Sequence, residues 1–165
     1  IYEDKLTWKD IKYRIKNYYH PWHAILEIEK ERLLSKFGKV FIIDLHSMPS
    51  TYGNNQDVSD FVIGNNHDKS SSKFSRNILS NIICDHGYKC SFNYPYSGGY
   101  ITQKNGSLSQ NVQCIQLEIN KNLYMDEKKI TKKKEFNAFF HELKILLFKF
   151  FDELDTEKKE LVAAE

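Results

Sequence analysis

Phe41-Ile42-Ile43-Asp44-Leu45-His46-Ser47-Met48-Pro49-Ser50 is the stretch on which the fold turns. Residues 40–43 form an apolar run of β-branched and aromatic side chains bounded by turn formers, the pattern of a buried strand. The expected strand covers 39–45 and gives way to Asp44, His46 and Ser47 at its mouth. In α/β proteins ligands bind in the crevice beyond the carboxyl ends of the strands. A carboxylate, an imidazole and a hydroxyl within four residues supply what a metal or acid–base site needs. The plainer alternative is a polar strand-to-loop turn holding a hydrogen-bonded histidine.

Upstream, Trp8, Ile11, Ile15 and Tyr18 recur at helical spacing, with Thr7 as the available cap. Pro21 is expected to end or kink that helix and suits the first turn of another. The second helix uses Ile25, Leu26, Ile28, Leu33 and Leu34, and Gly38 is placed to close it. Downstream, 46–59 is rich in Ser, Pro, Gly and Asn and reads as a long loop. A short second strand is expected at 60–63, ending at Gly64. Ser70, Ser71 and Ser72 offer caps for a helix built on Phe74, Ile78, Leu79, Ile82 and Ile83, with Gly87 as its stop.

Residues 88–92 alternate as a strand. Tyr94-Pro95-Tyr96-Ser97-Gly98-Gly99-Tyr100 follows, either a hairpin connection or a turn whose glycines let backbone approach a ligand. A further strand is expected at 113–119, where Glu118 lies either on the solvent face or in a site. The last helix is expected over 131–155, with Phe136, Phe139, Phe140, Leu143, Leu147, Phe150 and Phe151 as a core-facing stripe, and the tail beyond Asp155 is expected to fray. Helices alternating with short apolar strands point to an α/β fold, a three-layer sandwich with a mostly parallel or mixed sheet.

At 165 residues the simplest organisation is a single domain over 1–165 with a real core. A net charge of +2 gives no reason to expect nucleic acid or membrane as a partner. The basic run of Lys128, Lys129, Lys132, Lys133 and Lys134, flanked by Glu127 and Glu135, reads as a solvated helix entry. Cys84, Cys90 and Cys114 are odd in number and form no CxxC, so neither a disulfide framework nor a cysteine zinc site is indicated. Without a signal peptide or an apolar run near the ~18 residues of a membrane span, a cytoplasmic location is expected.

The convergent polar groups suit metal-assisted hydrolysis. Zinc takes histidine nitrogen and carboxylate oxygen, and a second carboxylate can accept a proton from bound water and pass it to a leaving amine. His46 is the candidate ligand and Glu118 the candidate general base. Asp44, two residues before His46, projects to the same side of a strand and could orient the site. His20 and His23 could join it, although surface or capping roles suit them better. His67, His86 and His141 look incidental, and Ser47 lacks the GxSxG setting of a nucleophile.

Five segments, taken together, resemble the N-formylglutamate amidohydrolase family. They are Tyr18-Tyr19-His20-Pro21-Trp22-His23, Ile43-Asp44-Leu45-His46-Ser47-Met48-Pro49-Ser50, Asp60-Phe61-Val62-Ile63-Gly64, Asn93-Tyr94-Pro95-Tyr96-Ser97-Gly98-Gly99-Tyr100-Ile101, and 116–125, which begins Gln116-Leu117-Glu118-Ile119-Asn120-Lys121. The resemblance implies a phosphorylase/hydrolase-like fold akin to zinc-dependent exopeptidases. It also implies hydrolysis of the formyl amide of N-formylglutamate, a small acidic N-formyl amino acid, in histidine degradation. It implies Zn2+ as cofactor, His46 as a metal ligand and Glu118 as the base. Asn93, Gly98, Gly99 and Lys121 are the expected substrate contacts, with Asp44, Ser47 and His23 in support.

The chain departs from the family pattern in Asn66, where an arginine is usual, in Asp68, where a glycine is usual, and in Lys121, which replaces an arginine. Family members extend about 100 residues further at the N-terminus by this resemblance, and that part carries a Pro-His-Ser-Gly segment resembling further metal ligands. The expectation is therefore an N-terminally truncated domain. It is either a deformylase-type hydrolase or a non-catalytic remnant, and a separately encoded N-terminal fragment is an expected partner.

Overall fold

Local capping chemistry sets the first element. The computed structural model describes residues 5–54 and 56–163, with side chains through residue 155. The backbone divides into two compact units, 1–40 and 41–165. In the first, helix α1 (Trp8–Arg14) opens with a capping box. The Thr7 hydroxyl accepts from the Asp10 N–H at 3.2 Å, and the Asp10 carboxylate accepts from the Thr7 N–H at 3.1 Å.

A π turn (Ile15–Tyr19) then joins α1 to helix α2 (His20–Phe37) without a break. Pro21 stands in the first turn of α2, as expected, but it does not interrupt the run of helical turns that leads into it. The His20 N–H reaches back to the Ile15 carbonyl, a five-residue step that shifts the ladder just before the residue that has no N–H to donate. Gly38 closes α2 as expected, in the left-handed region at φ 69° with its N–H on the Leu34 carbonyl.

The second unit is built on strands β1 (Val40–Met48), β4 (Phe61–Gly64), β5 (Cys90–Phe92) and β6 (Val112–Asn120). Its minor strands are β2 (Thr51–Tyr52) with β3 (Gln56–Asp57), and β7 (Met125–Asp126) with β8 (Thr131–Lys132). Its helices are α3 (Lys73–Asp85), α4 (Tyr100–Asn105) and α5 (Phe136–Ala163).

The main sheet runs β1-β6-β4-β5. β4 pairs antiparallel with β6 and parallel with β5, so the sheet is mixed. Strand alternation sorts its two faces. Phe61, Ile63, Ile115, Leu117 and Ile119 point into a core shared with Ile78, Leu79, Ile82 and Ile83 of α3 and Phe139, Leu146 and Phe150 of α5. Phe41 of β1 joins this core, its ring centroid 5.1 Å from that of Phe150. The opposite face carries Asp44 and His46 of β1, Gln116 and Glu118 of β6, and Val62 and Gly64 of β4. α4 packs against β6. No described helix is long and apolar enough to cross a membrane.

The structure corrects several of these expectations. β1 continues to Met48, so His46 and Ser47 lie within the strand rather than beyond its end. The ladder with β6 satisfies the backbone whatever the side chains, and Met48 is buried at the far end. The segment 93–99 is a strand-to-helix turn into α4, not a hairpin, because the following strand β6 pairs with β4. The expected loop at 46–59 contains the small β2–β3 hairpin. Lys128, Lys129 and Lys132 of the lysine run lie in the β7–β8 hairpin, while Lys133 and Lys134 lead from it into α5, which begins only at Phe136. In the hairpin the Asp126 carboxylate accepts from the N–H groups of Lys128 and Lys129, both at 3.0 Å, and bends the chain back.

Candidate active site

Glu118 stands near the centre of the main sheet, its Cα paired with that of Val62 on β4. Its side chain is buried, and neighbours bracket its carboxylate on two sides. Gln116, two residues earlier and therefore on the same face, donates from Nε2 to Glu118 Oε1 at 2.7 Å. His46, on the neighbouring strand β1, places Nδ1 3.6 Å from the same oxygen. The other ring nitrogen of His46 lies 3.1 Å from Asp44 Oδ2. The imidazole thus sits between two carboxylates, with an exposed edge.

Burial pushes the Glu118 carboxyl above its ordinary range. The Asp44 charge acts in the same direction. His46, the Gln116 hydrogen bond and Lys121 oppose it. Tyr96 lines the same region, its phenol pushed up by burial first and by the Glu118 charge second.

A glycine turn closes over this face. The Gly99 N–H donates to Gln116 Oε1 at 2.6 Å. Gly98 adopts φ +114°, and a Cβ there would come within 2.9 Å of Thr102 Cγ2. A Cβ on Gly64 would meet the backbone of the turn at 2.6 to 2.9 Å. Only glycine at these two positions lets the turn lie directly on the strand.

The structure brings Asp44, His46, Glu118 and Gly99 together. Ser47 faces the other way, its Oγ accepting from the Tyr124 hydroxyl at 2.7 Å. Asn93 holds the chain itself: its Oδ1 accepts from the N–H groups of Asn65 and His67, and its Nδ2 donates to Asn65 Oδ1. Lys121 opens the short 3-10 turn that follows β6. His23 belongs to the N-terminal unit, where its ring lies 4.2 Å from that of Tyr19. Gln116 and Tyr96 are additions that the residue pattern did not single out. For Gln116 the available signal was its two-residue spacing from Glu118.

Asn66 and Asp68, two of the departures from the family pattern, lie in a left-handed run at 66–68. Asp68 Oδ1 accepts from Asn65 Nδ2 and from Arg76 Nη1 at 2.6 Å. The Arg76 guanidinium also covers the Phe92 ring at 4.4 Å.

For a metal, His46 is the imidazole donor on offer, and a carboxylate beside its other nitrogen is the usual way to fix such a ligand. Among the described residues no three His, Cys, Asp or Glu side chains are placed to hold one ion. These residues fit one corner of a zinc site and do not make up a ligand set.

A solved structure of N-formylglutamate amidohydrolase from Ralstonia eutropha JMP134 is similar over 95% of this chain and 58% of its own, with a TM-score of 0.86 and 26% identity. The Agrobacterium tumefaciens gene product Atu2144 shares the fold, with a TM-score of 0.67 and 17% identity over 92% of this chain and 57% of its own. Among curated relatives, the N-formylglutamate deformylase of Pseudomonas putida is 28% identical over 116 residues, which is 68% of this chain and 43% of that protein. The N-formylglutamate deformylase of Pseudomonas aeruginosa is 31% identical over 110 residues, 65% of this chain and 41% of that protein. The chain therefore spans about two fifths of the length of the curated relatives it matches. The family model for N-formylglutamate amidohydrolase matches residues 1–125, and on that match, in a chain whose fold agrees, this protein belongs to the N-formylglutamate amidohydrolase family.

Proposed function

We propose that this chain carries the general-base part of a site that hydrolyses the formyl amide of a small acidic N-formyl amino acid, with N-formylglutamate as the reference substrate. The observation that carries the reading is the buried Glu118 carboxylate, held by Gln116 and facing His46 on one sheet face. Its relatives bear the name N-formylglutamate deformylase, which agrees with that chemistry.

Glu118 takes a proton from water as the water oxygen bonds to the formyl carbon. The carbonyl electron pair moves onto the formyl oxygen. Glu118 then returns the proton to the amide nitrogen, the C–N bond breaks, and formate and the amino acid leave. A raised carboxyl pKa suits a group that must both accept and return a proton near neutral pH. Lys121, whose charge acts on Glu118, is the cation proposed to meet a substrate carboxylate. Zinc at His46, when bound, would supply Lewis acidity to the formyl oxygen and a more acidic water. Its further donors are proposed to come from the part of the family fold that this span does not cover, in the same polypeptide or in a separately encoded one.

The test is formate release from N-formyl-L-glutamate with zinc supplied. The parent chain, supplied with the remainder of the family fold, is expected to release formate. Glu118→Gln is expected to lower the rate at least about 100-fold, the lower range for a lost general base. His46→Ala is expected to lose both zinc retention, read by atomic absorption, and formate release. A folded parent chain that releases no formate, with the remainder of the family fold supplied or not, overturns the reading in favour of a non-catalytic remnant.

A further inference from the structure

Gln116 has no reactive group, yet its amide is held at the site from two sides. It is buried and bonded at both ends: Oε1 to the Gly99 N–H at 2.6 Å and Nε2 to Glu118 Oε1 at 2.7 Å. A backbone N–H can only donate, so the amide oxygen must face Gly99 and the amide nitrogen must face Glu118. The flipped amide would set two donors against each other at Gly99 and two acceptors against each other at Glu118. The orientation follows from the chain.

The anchor at the far end is equally fixed. The Asn66 N–H donates to the Ser97 carbonyl at 2.7 Å, and Gln103 Nε2 donates to the Gly98 carbonyl at 2.9 Å. With Gly64 and Gly98 in direct backbone contact, the turn has one seat on β4.

One oxygen of Glu118 is therefore committed. Oε1 accepts from Gln116 and lies toward His46. Oε2 accepts no hydrogen bond from the described residues. It is not sealed either: among those residues the one buried side-chain oxygen or nitrogen left without a partner is Thr102 Oγ1.

We infer that Gln116 is a positioning residue. Locked by the Gly99 N–H, it pins Oε1 of Glu118 and leaves Oε2 as the atom that takes the proton from water. The inference rests on the proposed role of Glu118 as base. Its physical content is the loss of one rotation: an untethered carboxylate turns about its terminal torsion, and misplacing a reacting group by about 1 Å can cost on the order of 100-fold in rate.

Two variants test it. Gln116→Met keeps the volume and removes both bonds. Gln116→Asn keeps the amide on a side chain one methylene shorter, unable to span from Gly99 to Glu118. Both are expected to lower kcat on N-formyl-L-glutamate about 10- to 100-fold with KM unchanged within about twofold, the signature of an interaction that matters in the transition state. Amide hydrogen exchange by NMR supplies a second readout in the parent chain. The Gly99 amide and the Gln116 side-chain amide protons are expected to be protected, and the Gly99 protection to be lost in Gln116→Met.

The inference is overturned if the Gln116 side-chain protons of the parent exchange as fast as those of a surface glutamine, which is readable even where a variant fails to fold. It is also overturned alone if the parent is active and folded Gln116→Met keeps its kcat. A parent chain that releases no formate overturns the proposed function, and this inference with it.

Discussion

Glu118 illustrates how one side chain couples stability to chemistry. Burial raises its carboxyl above the ordinary value near 4.5, so the folded state favours the protonated form. Below that ordinary value the group is protonated both folded and unfolded. As pH rises through the raised folded value the proton is lost, and the folded state loses the stability associated with it. An amide in its place does not titrate and still offers an oxygen to Gln116 Nε2. Glu118→Gln is therefore expected to melt above the parent at pH 7.5, with the difference narrowing at pH 4. Paired thermal melts at the two pH values check this, and a variant less stable than the parent at pH 7.5 refutes it. Under the proposed role of Glu118 as base, activity has the opposite pH dependence, because the carboxylate must be ionised: the acid limb of kcat/KM should lie above the ordinary carboxylate range. On the proposed function, the base is then a residue the fold would be more stable without, a common cost of functional sites.

Among the elements, α3 shows what local chemistry decides. Ser72 lies in extended backbone, and its hydroxyl accepts from the Ser75 N–H at 3.1 Å, satisfying a donor that the helix leaves orphaned. Ser72→Ala is expected to cost about 1 kcal/mol, or about 2–4 °C of Tm in a chain of this size, measured by thermal or urea unfolding. The same cap was legible beforehand, because a serine cluster before an apolar run is a signal contained in adjacent residues. Gly38 and α2 were legible for the same reason. What escaped were features decided at a distance or too short to show a period. The extension of β1 to Met48 depends on pairing with β6, so the sequence near His46 could not disclose it. α4 has six residues and a glycine at its N-cap, with too few turns for a helical stripe. Pro21 was legible as a first-turn residue of α2, but the π turn that keeps the helices continuous ahead of it was not. The meeting of Asp44, His46 and Glu118 on one sheet face was legible through strand parity and residue chemistry. Gln116 was not, since its role depends on Gly99, seventeen residues before it.

At the scale of the molecule, the site stands on the most buried part of the sheet. All four residues of β4 are buried, as are eight of the nine in β6, and Leu79, Leu146 and Phe150 seal the core side. No residue of α1, the π turn or α2 is buried, and β3 and β8 are exposed. Opening free energy follows burial and local contact, so these parts should open separately rather than all at once. Native-state hydrogen exchange is expected to rank the β4 and β6 amides slowest, with free energies near that of global unfolding. The N-terminal helices and the β2–β3 and β7–β8 hairpins should exchange fastest. Amides of α2 as slow as those of β6 would contradict this ordering. The ordering also bears on function. Glu118 and Gln116 sit on the strand predicted to open last, and His46 on its neighbour, so the distances among them should persist through the fluctuations that loosen the periphery. A base on a rigid strand keeps its aim, which is what a preorganised site requires. Hydrogen exchange that is slow at β6 and fast in the glycine turn at 97–99 would separate the two halves of that arrangement: a rigid base whose oxygen is left unpinned whenever the turn lifts. Slow exchange at both would show base and turn held as one body.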